Sequence, residues 1–126
     1  MRVNEISGLV INAAMKVHTE LGPGLLESAY KKCLAYELRK RGRKVDIEVP
    51  QPVVYDGVRL DFGYRFDMLV DDAVIVEAKA VDAMHPVFEA QLLSYLKLSG
   101  KKEVGLLINF HVVHLKVGIK QMVNTV

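Results

Sequence analysis

The chain has 126 residues, of which 51% are hydrophobic and 25% charged, with a formal net charge of +2. That is enough to bury a core as one domain spanning residues 1–126, and a balance this close to neutral neither demands nor rejects an anionic ligand. The single cysteine, Cys33, excludes an intrachain disulfide and a thiolate zinc site, and at helical spacing from Tyr30, Leu34 and Leu38 it reads as a buried structural thiol.

Ile6, Val10, Ala13, Ala14, Val17 and Leu21 follow helical spacing and predict a first amphipathic helix, stopped by Gly22-Pro23-Gly24. A second helix is expected from about Leu25 to Arg41, with Leu26, Tyr30, Cys33, Leu34 and Leu38 on its packed side and Gly42 at its end. From Lys44 the pattern turns to strand. Val45–Val49 alternates apolar with charged residues, Val53–Tyr55 runs into the hairpin pair Asp56-Gly57, and Val58–Val70 reads as one long strand. Asp71-Asp72 is a second turn and Ala73–Ala80 a third strand. Pro86 opens a further helix reaching Ser99, with Phe88, Leu92, Tyr95 and Leu96 as its core stripe and Gly100 beyond its end. Glu103–Phe110 and Val112–Val117 are the expected closing strands. The order α-α-β-β-β-α-β-β implies an α/β (α+β) fold, a mixed β-sheet flanked by helices. No apolar run reaches the length of a membrane span and MRVNEISGLV lacks a signal-peptide pattern, so no membrane partner and a cytoplasmic setting are expected.

The stretch VIVEAKA, Val74–Ala80, places Glu77 and Lys79 on one face of an otherwise apolar strand. Asp67 lies on the strand before it. A three-residue loop, 71–73, makes Asp67 and Glu77 direct neighbours on one face, whereas a two-residue loop opposes Asp67 to Val76. Like charges set opposite each other repel, so a positive group is expected between them: Lys79, or an oxygen-seeking cation such as Mg²⁺. A salt-bridge ladder on a half-exposed sheet is the plainer alternative. Glu27 stands three, seven and eleven residues before Tyr30, Leu34 and Leu38, on the packed stripe of its helix, although an acid in a first turn also suits the helix dipole. Gln91 and Tyr95, four apart, share a helix face where they could orient a phosphate or merely border the core.

Gly24-Leu25-Leu26-Glu27-Ser28-Ala29-Tyr30 resembles the signature of the GxxExxY protein family. The likeness continues through Gly63–Asp67, Val76–Lys79, Glu89–Tyr95 and Gly105–Phe110. That family is placed in the PD-(D/E)xK nuclease-like superfamily, so the resemblance implies a restriction-endonuclease-like core. It further implies Asp67, Glu77, Glu27 and the Ala78 carbonyl as metal ligands, Lys79 as the catalytic lysine, and Gln91 and Tyr95 as the Gln-x-x-x-Tyr pair. Phe66 stands where the superfamily often has proline, and Ala78 fills the variable middle position. The implied activity is Mg²⁺-dependent phosphodiester hydrolysis, Mn²⁺ being the other candidate ion, with DNA expected ahead of RNA as the substrate and both left open. The alternatives are a nucleic-acid-binding or regulatory module without turnover, and a purely structural domain.

Nucleic acid also needs cationic surface. Arg39, Lys40, Arg41, Arg43 and Lys44 put five basic residues in six, although a solvated helix end explains them equally well. Lys97, Lys101 and Lys102 form a weaker region, and Arg65 could reach phosphate or pair with Glu27 or Asp82. His18, His85, His111 and His114 show no metal spacing. A junction resolvase would require a homodimer and an exonuclease a narrow channel, and the sequence displays neither.

Overall fold

Ile6, Val10, Ala13, Ala14 and Val17 recur every third or fourth residue, and they form the buried face of helix α1, Val3–Leu21. Leu21 closes the helix but is exposed, because Gly22, at φ 74°, turns the chain away there. Helix α2, Glu27–Lys40, starts without a side-chain cap. Tyr30 instead ties down the chain ahead of it: its buried hydroxyl accepts from Leu25 N–H at 2.9 Å and donates to Gly22 O. Its ring stacks on Phe110 at 4.6 Å. Leu26, expected on the packed stripe, lies just before the helix and is 77% exposed; Cys33 is half-buried against the core.

The computed structural model describes residues 1–100 and 104–124. The strands are β1 (Val45–Pro50), β2 (Val53–Tyr55), β3 (Val58–Leu60), β4 (Arg65–Val70), β5 (Val74–Lys79), β6 (Val104–Asn109) and β7 (Ile119–Val123); helix α3, Pro86–Ser99, joins β5 to β6. The five-stranded sheet has the order β1-β4-β5-β6-β7, mixed because β5 and β6 run parallel while the other pairs are antiparallel. β2 and β3 pair only with each other, as a separate arm. This α+β arrangement is the expected fold class. No helix among the described residues is long and apolar enough to cross a membrane.

Two expected strands need correction. Val58–Val70 is not continuous: Asp61–Tyr64 interrupts it, with Asp61 Oδ1 accepting Gly63 N–H at 2.8 Å in a tight turn. The first part therefore closes the arm, and the second enters the main sheet. Val112–Val117 is loop and a 3₁₀ turn, Leu115–Gly118, and the last strand begins only at Ile119. Gly118, at the end of that turn, packs so tightly that a Cβ would come within 2.3 Å of Asn109 O, so no larger residue fits there. Glu103, expected to begin a strand, and Lys101 and Lys102 lie outside the described residues.

The sheet separates two cores. Val74, Val76, Ala78, Leu106 and Ile108 face α1 and α2, whereas Ile75 and Leu107 face α3. Gly105 lies under α3, where a Cβ would approach Leu92 to 2.9 Å. Glycine here lets the helix lie close to the strand.

A candidate active site at the end of the β4–β5 hairpin

Asp71 and Asp72 both adopt positive φ, 52° and 56°, a region that aspartate enters more readily than most residues. Lys44 holds them, its N–H donating to Asp71 Oδ1 and its ammonium to Asp72. The resulting loop has three residues, since Val70 pairs with Val74, Leu69 with Ile75 and Met68 with Val76. The next step of that register brings Asp67 opposite Glu77, and there the ladder stops. Asp67 N–H donates to Glu77 Oε1 at 3.1 Å, and Ala78 N–H donates to Asp67 Oδ2 at 2.8 Å. Each carboxylate thus takes the place of a backbone acceptor, and the two strand ends are locked by their acids.

β4 is irregular on its other side too. Glu48, opposite Asp67 in the β1 register, has φ 49° and no pairing, although Ile47–Met68 and Val49–Phe66 pair on either side. Side-chain alternation breaks at the same level, because Met68 packs with the α1–α2 core and Phe66 with the α3 core. Asp67 therefore sits at a kink and reaches both layers. Arg65 does not keep the regular two-residue relation to it, and is exposed without a charged partner among the described residues.

Two cations flank the acids: Lys79 acts on Glu77 from the α3 side, and Lys31, from α2, pairs with Asp67. The Lys31 Nζ lies 3.1 Å from Asp67 Oδ1 and 3.4 Å from Glu48 Oε1. Burial opposes the Lys31 charge, but Asp67 and then Glu48 outweigh it, so the ammonium titrates above the ordinary lysine value. Lys79 projects toward α3, with Nζ 4.7 Å from the centre of the Phe88 ring, a cation–π contact. Glu77 is 6% exposed; burial, followed by the neighbouring Asp67 charge, pushes its carboxyl up to about 8, and Lys79 offsets this only in part. Tyr95 is also held above the usual tyrosine value, by burial and then by Glu77 and Asp67, with a hydrogen bond from Gln91 pulling the other way.

Asn109 pins the far end of β5. Its Oδ1 accepts Val81 N–H and His111 N–H, both at 3.1 Å, and its Nδ2 donates to Val81 O at 2.9 Å. The residues after Lys79 are thereby tied to the end of β6.

Glu27 is not brought to the pair. It is half-buried at the first position of α2, with no hydrogen bond or ion pair among the described residues. It does stand one turn before Lys31 on the same helix face, so the acid pair lies about a turn further along. No group of three or more histidine, cysteine or acidic side chains among the described residues could hold a metal ion. The donors present are all hard oxygens: two carboxylates and the Ala78 carbonyl, which lies on the same strand edge as the Ala78 N–H, facing β4 where the ladder has ended. Buried like charges next to a hard carbonyl suit a small divalent cation in kind, though two acids make a sparse ligand set.

The basic run serves mainly the fold. Arg39 donates to Val45 O, Arg41 bonds Glu37 and Asn12, Arg43 pairs with Asp71 and Lys44 with Asp72. Glu37, which nothing in the sequence singles out, is a buried acid also paired with Lys16 at 3.1 Å. The histidines have local duties: His18 bonds Val112 O, His85 caps α3 by accepting Val87 N–H, and His111 pairs with Asp82 at 3.0 Å. Lys31, Glu48 and Asn109 are the site neighbours that the sequence does not reveal. Only the spacing of Lys31, four residues after Glu27, offered a signal.

A family model described as the PD-(D/E)XK nuclease superfamily matches residues 4–122. No curated protein and no solved structure matches the chain.

Proposed function

Given that the chain belongs to the PD-(D/E)XK nuclease superfamily, we propose that it is a metal-dependent nuclease, acting on DNA in preference to RNA. The observation that carries this reading is the interlocked pair Asp67–Glu77 on two rigid strand ends, beside Lys79. Asp67, Glu77 and the Ala78 carbonyl would hold Mg²⁺ or Mn²⁺, whereas Glu27, expected as the helix-borne acid, stands off the pair on α2. When bound, the cation supplies Lewis acidity toward a phosphate oxygen and makes water more acidic. In the hydrolysis, a water oxygen bonds to phosphorus as a P–O ester bond breaks, leaving a phosphate monoester and a hydroxyl. Lys79, as an ammonium, orients that water, whose proton ends on the leaving oxygen, and its charge offsets the negative charge building on the phosphoryl oxygens. Gln91 and Tyr95 position the phosphate. Arg65, exposed and unpaired among the described residues, and Lys40 are better placed to contact the backbone than Arg39, Arg41, Arg43 and Lys44, whose side chains already have partners.

One observation favours a second reading, a nucleic-acid-binding module without turnover. Lys31 already occupies Asp67, and among the described residues no third acid joins the pair. Titrating Mg²⁺ and Mn²⁺ against single- and double-stranded, linear and circular substrates separates the two. The nuclease reading expects metal-dependent cleavage that falls at least a hundredfold in Lys79→Ala while binding persists. Binding with no cleavage in either metal establishes the second.

A further inference from the structure

The arm β2–β3 and the turn after it display aromatic rings to solvent. Tyr55 is 74% exposed, Phe62 62% and Tyr64 49%, and the Phe62 and Tyr64 rings lie 6.1 Å apart. Isolated exposed apolar residues need no explanation, but a cluster on a small arm outside the main sheet does. Arg59 on β3 and Arg65 at the start of β4 are exposed on the same stretch of chain, and neither has an ion-pair partner among the described residues. The one acid of the intervening turn, Asp61, is engaged with Gly63 N–H.

The cluster continues into a cavity of about 580 Å³ between the foot of the arm and α3, with Tyr64 on one side and Phe88, Gln91 and Tyr95 on the other. That size lies within the range of small-ligand sites. Phe88 is the ring beneath the Lys79 ammonium, and Tyr95 senses the charges of Glu77 and Asp67. Aromatic rings thus run from Phe62 and Tyr64 at the foot of the arm to Phe88 and Tyr95 at the edge of the acid pair, with exposed Arg65 next to Tyr64 in the chain.

From this continuity we infer that the arm and the α3 cavity bind unpaired nucleotides, stacking bases on Phe62 and Tyr64 and seating one base in the cavity so that its phosphate meets Lys79. The chemistry matches on both counts: a flat apolar base for each ring and a backbone anion for each arginine. A paired duplex buries its base faces in its own stack and could satisfy only the arginines. The inference rests on the proposed nucleic-acid substrate and narrows it to single strands or frayed ends.

The test is fluorescence anisotropy with a labelled single-stranded DNA 12-mer and the same sequence as a blunt duplex, in EDTA so that nothing turns over. The intact protein should prefer the single strand, and the doubly substituted Phe62→Ala/Tyr64→Ala protein, its fold checked by circular dichroism, should bind it at least fivefold more weakly and lose the preference. Arg59→Gln/Arg65→Gln should lower the salt slope for the single strand by about 1.4. Equal affinity of the intact protein for both substrates overturns the inference, as does unaltered single-strand binding by the aromatic variant. So does sedimentation showing a dimer that the aromatic variant breaks, because the cluster would then be a self-interface. Single-strand binding through these residues without cleavage in any metal sustains the inference and removes the nuclease. Cleavage of blunt duplex without single-strand preference does the reverse.

Discussion

Replacing Glu77 by glutamine should stabilise the metal-free protein, and the gain should grow with pH. The Glu77 carboxyl sits at about 8 in the folded chain against an ordinary value of 4.5, because burial and Asp67 disfavour its charge. The folded state therefore holds the proton more tightly than the unfolded state. Stability from this group is fully present below 4.5, and it drains away as pH rises toward 8. At 1.36 kcal/mol per pH unit the deficit is on the order of 3 kcal/mol at pH 7 and about 4 kcal/mol at pH 8. Glutamine keeps a carbonyl oxygen for Asp67 N–H and carries no charge, so it removes the deficit while leaving that hydrogen bond in place. Urea denaturation of both proteins in EDTA, at steps from pH 5 to pH 8, measures the difference directly. The gap should be about 1 kcal/mol or less at pH 5, should widen to several kcal/mol at pH 8, and should narrow when Mg²⁺ is added to the unsubstituted protein. A gap independent of pH, or a variant less stable at pH 8, would mean that Glu77 is not an electrostatic liability, and the case for a cation beside it would lose its energetic basis.

Lys31→Met should tighten Mn²⁺ binding several-fold by isothermal titration calorimetry, since the ammonium on Asp67 Oδ1 competes with any cation there; unchanged or weaker affinity would show that it does not. Asn109→Ala removes the two side-chain bonds to Val81 that tie the chain after β5 to the end of β6, together with the local bond to His111 N–H, and should cost about 2–3 kcal/mol in urea denaturation. Tyr30→Phe keeps the stack on Phe110 but strands Leu25 N–H and Gly22 O, a loss of about 1–2 kcal/mol measurable in the same assay.

The elements that were legible from the sequence carry strong local signals. Asp56-Gly57 turned as expected, with φ of 54° and 76°, and Pro86 and Gly100 bracket α3 as proline and glycine should. The open question of the second turn resolved to the three-residue loop, the register that sets Asp67 against Glu77. The break in Val58–Val70 was hidden because Leu60, Phe62 and Tyr64 are strand formers on both sides of one Asx turn, and only Gly63, at φ 78°, marks it. Val112–Val117 misled for a different reason: its alternation is real, but the chain there forms loop and a 3₁₀ turn before β7 begins at Ile119. Beyond its spacing from Glu27, Lys31 gave no sign, because an exposed-helix lysine and one reaching a buried acid have the same sequence neighbourhood. The basic run likewise could not declare that Asp71, Asp72 and Glu37 would claim most of its charges.

Both acids, the peptide between Glu77 and Lys79, and Lys79 itself belong to one hairpin closed by three residues. Their spacing is consequently a local property of the chain, settled with little loop-closure entropy as soon as that hairpin zips. Lengthening the β2–β3 arm or the segment from β6 to β7 would leave that spacing untouched. The same additions inside residues 71–73 would shift the register and separate the acids at once. The hairpin behaves as a cassette, and the rest of the chain is free to vary in length around it.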